Sequence, residues 1–163
     1  MDFHPLNLQV AAITKNTVGA GATNGINISL KNAHRAFIYC FCSKIADATQ
    51  TTWTLAQSSG NAGSATGTGE KALTNNVPIY FSDTFLTSNA LAETTAAKAY
   101  QQAVTQNVLQ CVVFEIVPEA CMDLAAGFDC IVVNSSDPGA ANSACAFAVI
   151  EPRNAPMPTP FTD

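Results

Sequence analysis

The stretch INISLKNAHRAFIYCFC, residues 26–42, decides the fold of this chain. From 26 to 30, apolar and polar residues alternate, which is the period of a strand with one apolar face. A turn is predicted at 31–34, where Asn tolerates tight backbone geometry. The second strand, 35–42, is apolar on both faces, which is typical of a strand covered on both sides. Its faces carry Ala36, Ile38, Cys40 and Cys42 on one side, and Phe37, Tyr39 and Phe41 on the other. One face can pack on the core of the domain, and the other needs a second layer from this chain or from another subunit.

Further strand-like stretches, separated by turn signals, follow along the chain. They are rich in β-branched, aromatic and other apolar residues. A helical turn is expected at 118–124, because Pro and an acidic residue stand at its start. Residues 88–106 are rich in Ala, Glu and Gln but have poor apolar spacing, so we expect a loop with some helix there. The predicted later strands are 51–57, 77–85, 108–117, 127–133 and 144–150.

These elements predict an all-β fold, an antiparallel β-sandwich or jelly roll of seven to nine strands with little helix. The chain divides into three parts. Residues 1–25 are expected to form an N-terminal arm or edge strand, and 26–150 the β-sandwich domain. Residues 151–163 hold four of the eight prolines, which favours an extended, polyproline-like C-terminal arm.

Composition excludes several function classes. The 163 residues fit one domain, and only 12% of them are charged, so the surface has to be built mostly from neutral polar residues. A net charge of −5 without a basic cluster argues against nucleic acid and anionic membrane surfaces as partners. No apolar run reaches the ~20 residues of a membrane helix, and the first ten residues lack the features of a signal peptide. We therefore expect synthesis and folding in a cytoplasm.

The six cysteines lie inside apolar runs, as in IYCFC and FDCIVV. Free cysteine behaves as a small buried hydrophobe, and no export signal is visible. We expect reduced thiols in the core, with a disulfide framework as the alternative.

No catalytic, cofactor or metal site is expected, and the chain is not expected to be an enzyme. The Gly-rich loop ends in GTGEKA at 67–72, where a phosphate-binding loop needs Gly-Lys-Ser/Thr. His4 and His34 have no triad-like setting. Cys40 and Cys42 form C-x-C, but no second ligand pair for zinc follows.

Four stretches in order resemble one known family: SLKNAHRAFIYCFC, GTGEKAL, DTF and FEIVPEACMDLAAGFDCIVVNSSDPG. They resemble the head-decoration, or cement, proteins encoded near the major capsid gene of many tailed bacteriophages. In that family a buried strand follows an LKN turn, a Gly-Thr-Gly loop follows the next strand, and the chain closes on Pro-Arg and a Pro-containing tail. The matching positions here are Leu30-Lys31-Asn32, Gly67-Thr68-Gly69 and Pro152-Arg153, and the resemblance spans roughly residues 26–160.

The resemblance implies a structural protein on the outer surface of the virion head, made in the host cytoplasm. Its partners would be the major capsid protein, whose neighbouring subunits it would clamp, and copies of itself in a dimer or trimer. The residues expected to contact capsid or neighbour lie in the two arms: Phe3, Leu6, Leu8, Arg153, Met157 and Phe161.

A carbohydrate-binding β-sandwich on a tail or surface appendage is the alternative from another class. Such sites show exposed aromatic rings beside Asp or Asn. Trp53, the only tryptophan, discriminates between the two hypotheses. An exposed Trp53 beside a groove would favour sugar binding, and a buried Trp53 would count against it.

Overall fold

The computed structural model describes residues 9–18, 22, 25–44, 49–60, 69–85, 87–88, 90–103, 108–139 and 142–153. Within them it has eleven strands, one short α-helix and one 3₁₀ turn. The strands are β1 Gln9–Val18, β2 Ile28–Ser29, β3 Ala33–Lys44, β4 Thr52–Ser58, β5 Lys71–Ala72, β6 Val77–Ser82, β7 Ala92–Ala97, β8 Ala99–Gln101, β9 Val108–Ile116, β10 Cys130–Ser135 and β11 Ser143–Pro152. The helix α1 is Pro118–Cys121, and the 3₁₀ turn is Leu124–Ala126. In this part of the chain, no helix has the length and apolar character needed to cross a membrane.

The strands form two antiparallel sheets. The first has six strands in the order β1-β11-β3-β9-β6-β7. The second has the order β2-β10-β4-β5, with β8 also paired to β4. The predicted all-β sandwich with little helix is confirmed. The described strands number eleven rather than seven to nine, because several of them are only two or three residues long.

Strand β3 lies inside the six-stranded sheet, between β11 and β9. Its inward residues Ala36, Ile38, Cys40 and Cys42 are fully buried. The turn predicted after the first strand is present at Lys31–Asn32, and β3 begins directly after it. Strands β2 and β3 do not pair with each other, because β2 joins β10 in the second sheet. The stretch 26–42 therefore connects the two layers of the sandwich.

The expectation of a loop with some helix at 88–106 is wrong. Strands β7 and β8 lie there: β7 pairs with β6 at one edge of the six-stranded sheet, and β8 pairs with β4 in the other sheet. The Ala-rich composition suggested helix, but the β-branched pair Thr94-Thr95 and the available edge of β6 favour a strand. Tertiary pairing overrides a weak local propensity here.

The core fills the space between the sheets with apolar side chains from both. Ile38 and Phe114 of the first sheet and Trp53 and Val133 of the second belong to one buried cluster. Trp53 is fully buried, and its indole Nε1–H donates to the side-chain Oε1 of the buried Gln102 at 2.9 Å. The only tryptophan is therefore a core residue.

The predicted turn at Asp137-Pro138-Gly139 connects β10 with β11. Gly139 has φ of 96°, in the left-handed region that glycine adopts without strain. Its N–H donates to Oδ1 of Asp137 at 2.8 Å. The predicted helical turn after Pro118 is also present, as α1 and the 3₁₀ turn that follows it.

Replacing Gly127 by alanine is expected to lower the free energy of unfolding by about 1 to 2 kcal/mol. Gly127 ends the 3₁₀ turn with φ of 80°, and a Cβ there would meet nothing within 4 Å. The whole cost is therefore backbone strain, measurable by urea unfolding. Ala125→Ser, at an exposed position of the same turn, is the control and should change stability by less than about 0.5 kcal/mol. Equal stability of G127A and the wild type would contradict this.

Candidate functional site: an aromatic face on the six-stranded sheet

The outer face of the six-stranded sheet carries the second set of side chains of β3. Because side chains alternate along a strand, Phe37, Tyr39 and Phe41 point away from the core that Ile38 and Cys40 enter. These three rings are half-buried. The second sheet covers the opposite face, so the rings remain on the outside of the sandwich.

Neighbouring elements add two more rings. Phe147 of β11 lies directly opposite Tyr39 in the strand register. Phe85 follows β6, and its backbone N–H donates to the carbonyl of Leu109, which holds it beside the far end of β3. We call these five half-buried rings the aromatic face; its members are Phe37, Tyr39, Phe41, Phe85 and Phe147.

Four of the five rings pack on one another before any partner arrives. The rings of Tyr39 and Phe147 stack with centroids 5.2 Å apart and planes 14° apart. Phe41 stacks on Phe147 at 5.9 Å and meets Phe85 edge-on at 5.7 Å. Such pairs fix the ring orientations, so a binding partner loses little side-chain entropy on this surface.

A polar cluster borders the aromatic face at the start of β3. The guanidinium of Arg35 forms an ion pair with Glu115 at 3.1 Å and lies 5.8 Å from the centre of the Phe37 ring. The hydroxyl of Tyr80 donates to the same carboxylate at 3.1 Å, and this hydrogen bond raises the pKa of Tyr80. Within the described part of the chain, Nε of Arg35 is buried without a hydrogen-bond partner.

Two thiols complete the surface without adding reactivity. Cys111 of β9 and Cys145 of β11 lie on either side of Phe41 in one row across the strands. Burial raises the pKa of Cys111 to about 11 and also raises that of Cys145. Both are therefore neutral thiols at neutral pH and weak nucleophiles. None of the six cysteines, all of which lie in the described residues, forms a disulfide, and five are buried.

The structure gives Arg153 contacts within its own chain. Its N–H donates to the carbonyl of Asn32 at 2.9 Å, and its Nε donates to the carbonyl of Ala33 at 3.0 Å. Its guanidinium also pairs with Glu119. Arg153 thus ties the end of β11 to the turn before β3, and its contact with a partner stays a prediction. The other predicted contact residues lie outside the described residues: Phe3, Leu6, Leu8, Met157 and Phe161.

The described residues offer no constellation for metal binding, since no group of three or more His, Cys, Asp or Glu side chains comes together among them. Full burial of Trp53 counts against a sugar-binding platform built on that ring. Among the described residues, the aromatic face is a surface with a distinct, apolar chemistry.

Comparisons with known proteins give no family. No protein-family model matches the chain, and no curated protein matches it. Among solved structures, the chain is similar to the SPBc2 prophage-derived protein YomS, with a TM-score of 0.47 and 7% identity over 92% of this chain and 98% of that one. A likeness of this extent carries no argument about function. The function therefore has to be inferred from the surface of the domain itself.

Sequence reasoning found part of this site. The alternation in RAFIYCFC places Phe37, Tyr39 and Phe41 on one face. The predicted contact residues, however, lie in the two arms. The sequence does not predict that Phe147 and Phe85 belong to this surface, because only strand pairing brings them beside β3. The pattern AFAVI at 146–150 offered a weak signal, since an aromatic residue alternates there with buried alanines.

Proposed function

We propose that this chain is a structural protein of a phage virion that binds the outer surface of the capsid and clamps neighbouring major capsid subunits. The aromatic face is the observation that carries the proposal. It is an apolar, prepacked surface on a domain with few charges, and such surfaces contact other proteins. The order of motifs resembling the cement proteins supports a capsid as the partner. In this proposal the chain has no catalytic activity and acts on the head exterior.

The size of the aromatic face fits repeated weak contacts. A whole aromatic side chain has about 150–250 Å² of surface, so five half-buried rings expose on the order of 300 Å². A stable interface needs roughly 800 Å² per partner. One face therefore binds weakly by itself. On a capsid lattice, several simultaneous contacts raise the effective concentration and give tight overall attachment.

The test is co-sedimentation with shells assembled from the major capsid protein of the phage that encodes this chain. The wild type should pellet stoichiometrically. The double variant Tyr39→Ser/Phe147→Ser should bind at least about tenfold more weakly, because it removes the stacked pair at the centre of the face. Thr54→Ala is the matched control, since Thr54 is exposed on the opposite sheet.

Two results would overturn the proposal or part of it. Wild-type protein that stays in the supernatant at saturating shell concentration would remove the capsid as partner. Pelleting that the double variant leaves unchanged, with the variant folded by circular dichroism, would move the contact from the aromatic face to the arms.

A further inference from the structure

We infer that the Pro-rich segment 154–163 of one copy docks on the aromatic face of a second copy. The inference rests on the proposed function in taking this face as the adhesive surface, and it names the occupant of the face when no capsid is present. Four observations carry it: the chemistry of the segment, the chemistry of the face, the anchoring of Arg153 and the restricted backbone that follows.

The segment NAPMPTPFTD has the composition of a polyproline II ligand. Pro156, Pro158 and Pro160 alternate with other residues and fix φ near −65°. Met157 and Phe161 supply apolar side chains, and Asp163 is the only charged residue of the ten. Extended Pro-rich segments characteristically dock on surfaces lined by aromatic rings, because little conformational entropy is lost.

The aromatic face offers what such a ligand needs. The stacked rings of Tyr39, Phe41 and Phe147 form a flat apolar surface for proline rings. A polyproline II backbone makes no internal hydrogen bonds, so its carbonyls seek external donors. The guanidinium of Arg35, whose side chain is 38% exposed, stands beside Phe37 at the border of the face and can donate to one of them.

The anchor at Arg153 fixes the point from which the segment leaves the described domain. Strand β11 runs toward the end of the sheet where β3 begins, and Arg153 is bound there to Asn32, Ala33 and Glu119. A chain continuing in this direction moves away from Phe41 and Phe85, which lie toward the other end. Ten residues in polyproline II conformation span about 31 Å, which is enough to reach a neighbouring domain.

The local sequence disfavours the reversal that self-docking would require. Ala155, Met157 and Thr159 each precede a proline, and that position is held in extended geometry. Met157 would be the third residue of a turn at 155–158, where a helical or left-handed conformation is needed. A reversal at these positions is therefore strained, and a second copy can be reached without one.

Head-to-tail docking of this kind is a heterologous contact. Two copies whose segments each dock on the other form a closed dimer. Three copies whose segments each dock on the next form a closed trimer.

The test uses full-length chains without capsid, followed by sedimentation velocity. The wild type should associate by about 100 μM, as expected for a contact of this size. The segment variant Met157→Ser/Phe161→Ser and the face variant Tyr39→Ser/Phe147→Ser should each associate at least about tenfold more weakly. An equimolar mixture of the two should recover a complex, because one supplies an intact segment and the other an intact face. Heat unfolding of each variant confirms that it is folded.

Disulfide trapping gives a second measurement that does not depend on the face variant folding. Cys145 is a half-buried thiol on the aromatic face, next to Phe41 in the strand register. Met157→Cys, Thr159→Cys and Phe161→Cys, tested singly under a mild copper oxidant, should include one that links covalently to Cys145 of another copy. Adding Cys145→Ser should abolish that dimer.

A wild type that stays monomeric, a mixture that does not recover the complex, or a link to Cys145 within one chain would each overturn the inference. Absence of any link at all three positions would do the same. These outcomes are separate from those of capsid binding. If the protein associates but does not pellet with shells, this inference stands and the proposed function fails. If it pellets with shells but stays monomeric without them, the proposed function stands and this inference fails.

Discussion

Replacing Trp53 by alanine is expected to lower the free energy of unfolding by about 3 to 5 kcal/mol. Trp53 is among the largest fully buried side chains, and it lies in the cluster that joins the two sheets. Its removal leaves a cavity and also takes the donor from Oε1 of Gln102, whose Nε2 is already buried without a partner among the described residues. Domains of this size have a total stability of about 5 to 15 kcal/mol, so the variant should be close to unfolding at 37 °C.

Two further variants separate the cavity from the hydrogen bond. Trp53→Phe keeps a ring in the core but removes Nε1–H, and should cost less than Trp53→Ala. In the double variant Trp53→Phe/Gln102→Leu both polar partners are gone, so part of the loss should be recovered. Thr54→Ala, at the exposed neighbouring position, should change stability by less than about 0.5 kcal/mol. Urea unfolding followed by far-ultraviolet circular dichroism measures all of them, and an additive double variant would show that the hydrogen bond contributes nothing.

Alkaline conditions are expected to lower the stability of the protein progressively between about pH 9 and 11. Burial raises the pKa of Cys111 and of Cys121 to about 11, and also raises that of Cys40 well above its usual value. The unfolded chain loses these protons near pH 8.5 to 9. Between about pH 9 and 11 the folded state therefore holds more protons than the unfolded state, and stability falls as pH rises.

The thiols of Cys111 and Cys121 should each contribute about 2 to 3 kcal/mol of stability. This contribution is fully present below pH 8.5 and lost by pH 11. Urea unfolding at pH 7, 9, 10 and 11 under a phosphine reductant, read by the fluorescence of Trp53, measures the loss. Cys111→Ala is the matched variant, because it should reduce the pH slope by about 1.4 kcal/mol per pH unit. A stability that stays constant from pH 7 to 11 would contradict the buried, neutral thiols.

Local periodicity was enough to predict the fold class. The two-residue period in 26–42 and the apolar runs at 108–117 and 144–150 each indicate strands from local sequence alone. Pairing is a long-range property, so the sequence did not reveal that β3 lies between β9 and β11. The error at 88–106 has the same origin, because β7 is a strand only through its pairing with β6.

The candidate site could also be predicted only as far as local sequence reaches. Alternation placed three aromatic residues of β3 on one face, but Phe147 joins them only through the register of β11. The buried Lys44 is a second case: its ammonium donates to Thr51 and to the carbonyl of Thr49 at the end of β3. No pattern in FCSK marks a lysine for burial, since its acceptors belong to Thr49 and Thr51, which lie beyond the end of β3.

The place of β11 in the sheet also sets the order of events during synthesis. Among the described strands, β3 needs β11, the last of them in sequence, on one of its sides, and β1 pairs with β11 alone. At a translation rate of about 5–20 residues per second, roughly 5–20 seconds pass between the completion of β3 and that of β11. During that time the ribosome carries a nascent strand that is apolar on both faces and has one open edge, which is a template for aggregation. The six-stranded sheet can therefore close only after β11 has been made, and a chaperone that holds nascent chains would raise the yield of this protein more than that of a domain built from local contacts.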